Sequence, residues 1–134
     1  MKQLLYLIVI LLSGLTYAQQ EKVESPKIAI KIEQGQSITL GDLTLKFVKV
    51  EEDSRCPKYT NCIWAGRAVV LLEVSEGTNK ETKKVYLGET RGDEPTSKTI
   101  YTKDDYFIEV VALHPYPEDG TEMAPYSLLI CEGR

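Results

Sequence analysis

Histidine is almost missing from this chain. One, His114, stands in 134 residues, beside three cysteines, one tryptophan and two phenylalanines. A Ser-His-Asp or Cys-His constellation would rest on an imidazole that precedes Pro115 in a proline-rich stretch. Three cysteines and one histidine are the bare minimum for a four-ligand zinc site, so Cys56, Cys62, Cys131 and His114 would all have to converge. No G-x-S-x-G, H-E-x-x-H or phosphate-cradling glycine pattern occurs, and no D-x-D-x-D-G loop for calcium. The carboxylate pairs Asp104-Asp105 and Glu118-Asp119 stand in turn-like contexts and read as solvated. A basic excess is absent as well, which argues against nucleic acid or an anionic membrane surface as the main partner. No helical period, internal repeat or low-complexity linker breaks the region after residue 26. These absences point to a protein that is not an enzyme and carries no cofactor.

The N-terminus is rich where the rest is spare. Lys2 supplies a positive start, and residues 4–12 are apolar except Tyr6. Small Thr16 and Ala18 then precede Gln19. This is a secretory pattern, too short to span a membrane comfortably and without the cysteine of a lipoprotein signal. We read residues 1–18 as a signal peptide, 19–26 as a flexible segment and 27–134 as a single domain. Cleavage leaves about 115 residues, enough to bury roughly two-thirds of the unfolded surface. It removes one cation, Lys2, leaving 15 basic against 20 acidic residues, a net charge of −5. The expected product is secreted or periplasmic, with no stable membrane insertion after cleavage.

Period-2 alternation fills the remainder. Ile28, Ile30 and Ile32 alternate with Lys27, Ala29 and Lys31. Ile38 and Leu40 follow, then Leu43, Leu45 and Phe47, after which Val48 and Val50 lie on the opposite face. A bulge or a bend into a second sheet produces such a switch. Residues 67–75 are apolar on both faces, as in a central strand. Residues 76–79 read as its turn, and 80–87 as a polar edge strand. A polar loop over 88–97 leads to a short strand over 98–102. Residues 106–113 alternate, with Tyr106, Ile108, Val110 and Ala112 opposite Phe107, Val111 and Leu113. A proline-rich excursion over 114–125 precedes a last strand over 126–131. Seven to eight short strands predict an all-β, antiparallel β-sandwich of Ig-like or Greek-key type.

The most distinctive stretch runs Asp53-Ser54-Arg55-Cys56-Pro57-Lys58-Tyr59-Thr60-Asn61-Cys62-Ile63-Trp64-Ala65-Gly66. In an exported chain, Cys56 and Cys62 read as a disulfide. Closing so short a loop is worth about 2–2.5 kcal/mol on a chain-entropy argument. Asp53 and Ser54 suit a turn that holds backbone N–H groups. Arg55 has Asp53, Glu51, Glu52 and the Trp64 ring as candidate partners. Trp64 is expected to pack as a core plug on the disulfide, and Gly66 to let the loop rejoin a strand. Tyr116 and Tyr126 are expected to cover an open end of the sandwich.

This stretch resembles the core of a family of small secreted bacterial β domains, in which Asp-Ser-Arg-Cys-Pro is followed by Cys-(Ile or Val)-Trp-Ala-Gly. Val48-Lys49-Val50, residues 68–74, residues 113–117 and the last Tyr-led strand also resemble that family. The resemblance implies a fold and a location but no reaction. Cys131 departs from its pattern.

Function concentrates on Lys58, Tyr59, Thr60 and Asn61, polar and aromatic residues on a pre-ordered loop whose rigidity lowers the cost of binding. The expected role is a non-catalytic binding module for an unknown protein or small ligand outside the cytoplasm. Alternatives are inhibition of a secreted hydrolase through the Cys56–Cys62 loop, with Lys58 offered to a trypsin-like pocket, and metal or redox handling.

Overall fold

Side chains that alternate apolar and polar along an extended chain must bury one face, and without helices only a second sheet can cover it. The computed structural model describes residues 27–120 and 122–134. The expected signal peptide (1–18) and flexible segment (19–26) lie outside the described residues. Among the described residues there are eight strands: β1 (Ile28–Glu33), β2 (Ser37–Leu40), β3 (Leu43–Asp53), β4 (Arg67–Glu76), β5 (Asn79–Gly88), β6 (Thr99–Lys103), β7 (Tyr106–His114) and β8 (Ser127–Gly133). They form two antiparallel four-stranded sheets, β1-β8-β7-β6 and β2-β3-β4-β5. The β-sandwich read from the sequence is therefore the fold. Each sheet is a meander in chain order, with β1 added beside β8, and neither closes on itself.

The core lies between the sheets. Leu45, Phe47, Val70 and Leu72 meet Ile32, Ile100, Ile108, Val110, Leu128 and Ile130, all but withdrawn from solvent. β4 is a central strand, and of its outward residues Val69 is buried while Leu71 is half-buried. β5 is the edge strand its lysines announced.

Bulges decide where alternation changes hand. In β3 the register with β4 slips at Val48 and again at Glu51. The face switch after Phe47 is thus a bulge within one sheet, and β3 does not cross to the other. In β7 the register with β8 slips at Val111. Leu113 consequently joins Ile108 and Val110 in the core while Val111 turns to solvent, so the strict alternation expected over 106–113 fails at its C-terminal end.

The two ends of the sandwich differ. Where β7 begins and β8 finishes, Thr39, Leu40, Gly41, Tyr106, Glu132 and Arg134 line an open cleft. There the Tyr106 hydroxyl donates to Glu132 at 2.7 Å, and burial followed by this bond pushes the phenol up to about 12. Where β7 finishes and β8 begins, the β3–β4 connection and the proline-rich segment meet.

Candidate functional site

The β3–β4 connection is a loop built in three tiers. At its base, Gly66 bends back with φ +72, and a Cβ there would fall 1.8 Å from the Ser54 carbonyl oxygen. Ser54 N donates to Arg67 O at 2.8 Å, and one step outward Cys56 N donates to Ala65 O at 2.8 Å. Beyond that closing bond the chain projects, and Cys56 and Cys62 are joined by the expected disulfide.

The base is fixed by a buried ion pair. The side chains of Asp53 and Arg55 are 8% and 9% exposed. Arg55 Nε donates to Asp53 Oδ1 and Nη2 to Oδ2, both at 2.7 Å, a bidentate fork. Its remaining N–H groups cross to the other sheet, reaching Leu113 O at 2.7 Å and Pro115 O at 2.9 Å. The guanidinium also lies 4.8 Å from the Tyr116 ring centroid. Tyr126 completes the group by donating to Asp53 Oδ2 at 2.9 Å. Burial alone would raise the Asp53 carboxyl, but the bonds from Arg55 and Tyr126 outweigh it and hold the group below the usual carboxylate range. The Tyr126 phenol is raised, by burial first and then by its bond to Asp53. A carboxylate so fully supplied with donors is a structural anchor.

Of the three acids offered to Arg55, only Asp53 takes it. Glu52 binds Arg67, a buried cation that sequence reasoning missed. Arg67 also grips Glu94 in the β5–β6 loop and lies 5.5 Å from the Tyr86 ring centroid. Glu51 pairs with Lys84 at 2.6 Å.

The proline-rich segment forms the second wall. The His114–Pro115 peptide is cis. Lys58 N donates to Pro117 O at 2.9 Å, and Lys58 and Glu118 form an isolated parallel bridge, their charged groups 3.8 Å apart. Thr60 Oγ1 donates to Asp119 Oδ2 at 2.8 Å. Of the four residues expected at the tip, Lys58 and Thr60 are thus tied to residues 117–119. Tyr59, with φ +64, and Asn61 face solvent.

Trp64 overturns an expectation. It is no core plug: it is 71% exposed, beside Ile63 at 92%, while Tyr59 reaches 95%. The reason is the Cys56–Ala65 bond, which closes the loop inward of Trp64 and leaves that ring on the projecting part. Of the expected core motif, Asp53, Arg55 and Gly66 are architecture, and Trp64 is surface.

Cys56, Cys62, Cys131 and His114, all of which a four-ligand zinc site would require, do not gather into one. Cys56 and Cys62 are bonded to each other, while Cys131 lies within β8 opposite Ala29 and Glu109. Among the described residues, no group of three Cys, His, Asp or Glu side chains gathers to hold an ion. Nor is any helix among them long and apolar enough to cross a membrane. No known protein family, curated protein or solved structure matches the chain.

Proposed function

We propose that this chain is a non-catalytic binding module that works outside the cytoplasm and engages its partner through the Cys56–Cys62 loop. One observation carries the reading. Tyr59, inside the Cys56–Cys62 ring, and Ile63 and Trp64, directly after it within the turn that the Cys56–Ala65 backbone bond closes, are large side chains 95%, 92% and 71% exposed. Leaving three such side chains in water is costly for a free protein, and aromatic residues on rigid supports are the usual anchors of protein interfaces. The buried Asp53–Arg55 pair and the strap from residues 117–119 hold the segment before any partner arrives, which lowers the entropic cost of association. The disulfide supports a secreted or periplasmic setting. The resemblance of residues 53–66 to the secreted bacterial β domains favours the same setting.

The chemistry at the tip differs from what Lys58 alone implied. Its N–H is committed to Pro117 and its ammonium faces Glu118, so the loop offers Tyr59 and Trp64 rather than a lysine. That weighs against delivery of Lys58 to a trypsin-like pocket. The test is capture of partners from the secreted or periplasmic fraction by the wild type and by an Ile63→Ala/Trp64→Ala variant. The variant is expected to lose the partner while unfolding at an unchanged temperature, because both side chains are surface groups. Equal capture by both proteins would remove the loop from the function.

A further inference from the structure

Among the described residues, three of the four strands that end a sheet are guarded. β2 and β6 are only four and five residues long, and β5 carries Lys80, Glu81, Lys83 and Lys84. Short or charged edges resist pairing with another chain. The fourth edge, β1, is different. Its sequence Ile-Ala-Ile-Lys-Ile-Glu places Ile28, Ile30 and Ile32 on one face, and Ile28, 57% exposed, is not covered by the opposite sheet.

We propose that β1 is a self-association edge, on which a second copy of this chain adds its own β1 antiparallel across a two-fold axis. The register follows from charge. Centred on Ile30, the pairing sets Lys27 opposite the partner's Glu33 at both ends, Ile28 opposite the partner's Ile32, and Lys31 opposite the partner's Ala29. A slip of one pair toward the N-terminus puts Lys27 opposite the partner's Lys31, twice. A slip toward the C-terminus puts Lys31 directly opposite the partner's Lys31. Directly opposed like charges destabilise a strand pair and opposite charges support it, so one register is selected. Slips by a single residue are forbidden because they would turn the isoleucines to the other face. Lys27 and Glu33 are both exposed and available for the exchange. Lys27 meets the half-buried Glu109 at 3.5 Å and lies 6.0 Å from the Phe107 ring centroid, surface contacts that the exchange would replace. The product is a continuous sheet of eight strands, β6-β7-β8-β1 and its mirror in chain order. This inference is independent of the loop.

Six residues of strand bury less than a standard interface, so the dimer is weak and concentration-dependent. Sedimentation of the protein recovered from an exporting host, at low ionic strength, tests it. The mass of the wild type is expected to rise from monomer to dimer as concentration increases to about 1 mM. Glu33→Lys replaces two attractive pairs with two repulsive ones and is expected to move the midpoint at least about tenfold higher. Adding Lys27→Glu to it restores the pairs with reversed sign and is expected to bring the midpoint back. Concentration-dependent protection of β1 amides from hydrogen exchange is expected in the wild type and the double variant. A wild type that stays monomeric overturns the proposal. So does a midpoint that ignores Glu33→Lys, or one that the second substitution does not rescue.

Discussion

Asp53 and Arg55 show how a two-residue separation in sequence becomes a link between sheets. Their bidentate pair forms locally, but Arg55 spends its other donors on Leu113 and Pro115, 58 and 60 residues away. Asp53→Asn would keep the shape and leave a buried guanidinium without its counter-charge, which typically costs about 3–5 kcal/mol. The effect has a pH signature. The folded carboxyl titrates below its ordinary 3.8, so its stabilisation is complete above that pH and disappears as pH falls through the lower folded value. Denaturant titrations from pH 7 to 2 should therefore show a wide gap between wild type and Asp53→Asn that narrows below about pH 4. A gap of constant width would mean that packing, and not the charge, links the two residues. The sequence offered Asp53 among three acids, because i to i+2 proximity is legible. It could not reveal Tyr116 as the stacking partner or Tyr126 as the second donor, since nothing local relates residue 53 to residue 126.

At the scale of elements, the strands were legible and their handedness was not. Composition and alternation located all eight to within a few residues, including the central β4 and the lysine-lined edge β5. Period-2 reading then assumes an unbroken pleat, and one extra residue defeats it. Val48, Glu51 and Val111 each insert such a residue, and Leu113 turns into the core as a result, parted from Val111, with which strict alternation groups it. The disulfide was readable from spacing and compartment. Trp64 was misplaced because a loop carries no pleat against which to count, and its bulk alone pointed inward. The loop's return depends instead on Gly66, where a Cβ would collide with the Ser54 carbonyl oxygen and φ is +72. Gly77, in the β4–β5 turn, shares a positive φ of +58 but has open space around it. Gly77→Ala should cost only the conformational penalty, about 1–2 kcal/mol. Gly66→Ala should cost considerably more, because backbone must move as well. Equal losses in urea unfolding would show that the loop base yields freely.

The whole molecule divides its labour between ends and edges. One end is closed by the Arg55 group and carries the projecting loop; the other ends in the cleft beside Tyr106 and Glu132. Between them the core is uniformly aliphatic apart from Phe47, and the indole is not in it. That placement has a spectroscopic consequence. The chain's only tryptophan already sits in water in the native state, so its emission should be red-shifted and readily quenched by acrylamide before any denaturant is added. Unfolding should change that emission little, and near-ultraviolet dichroism of the partly buried Tyr101, Tyr106 and Tyr126 should report the transition instead. A large red shift on unfolding would contradict the exposed position of Trp64. What the lone indole can report is occupancy: any molecule that covers the loop should turn its emission blue and shield it from the quencher, so the protein carries its own optical sensor for whatever settles there.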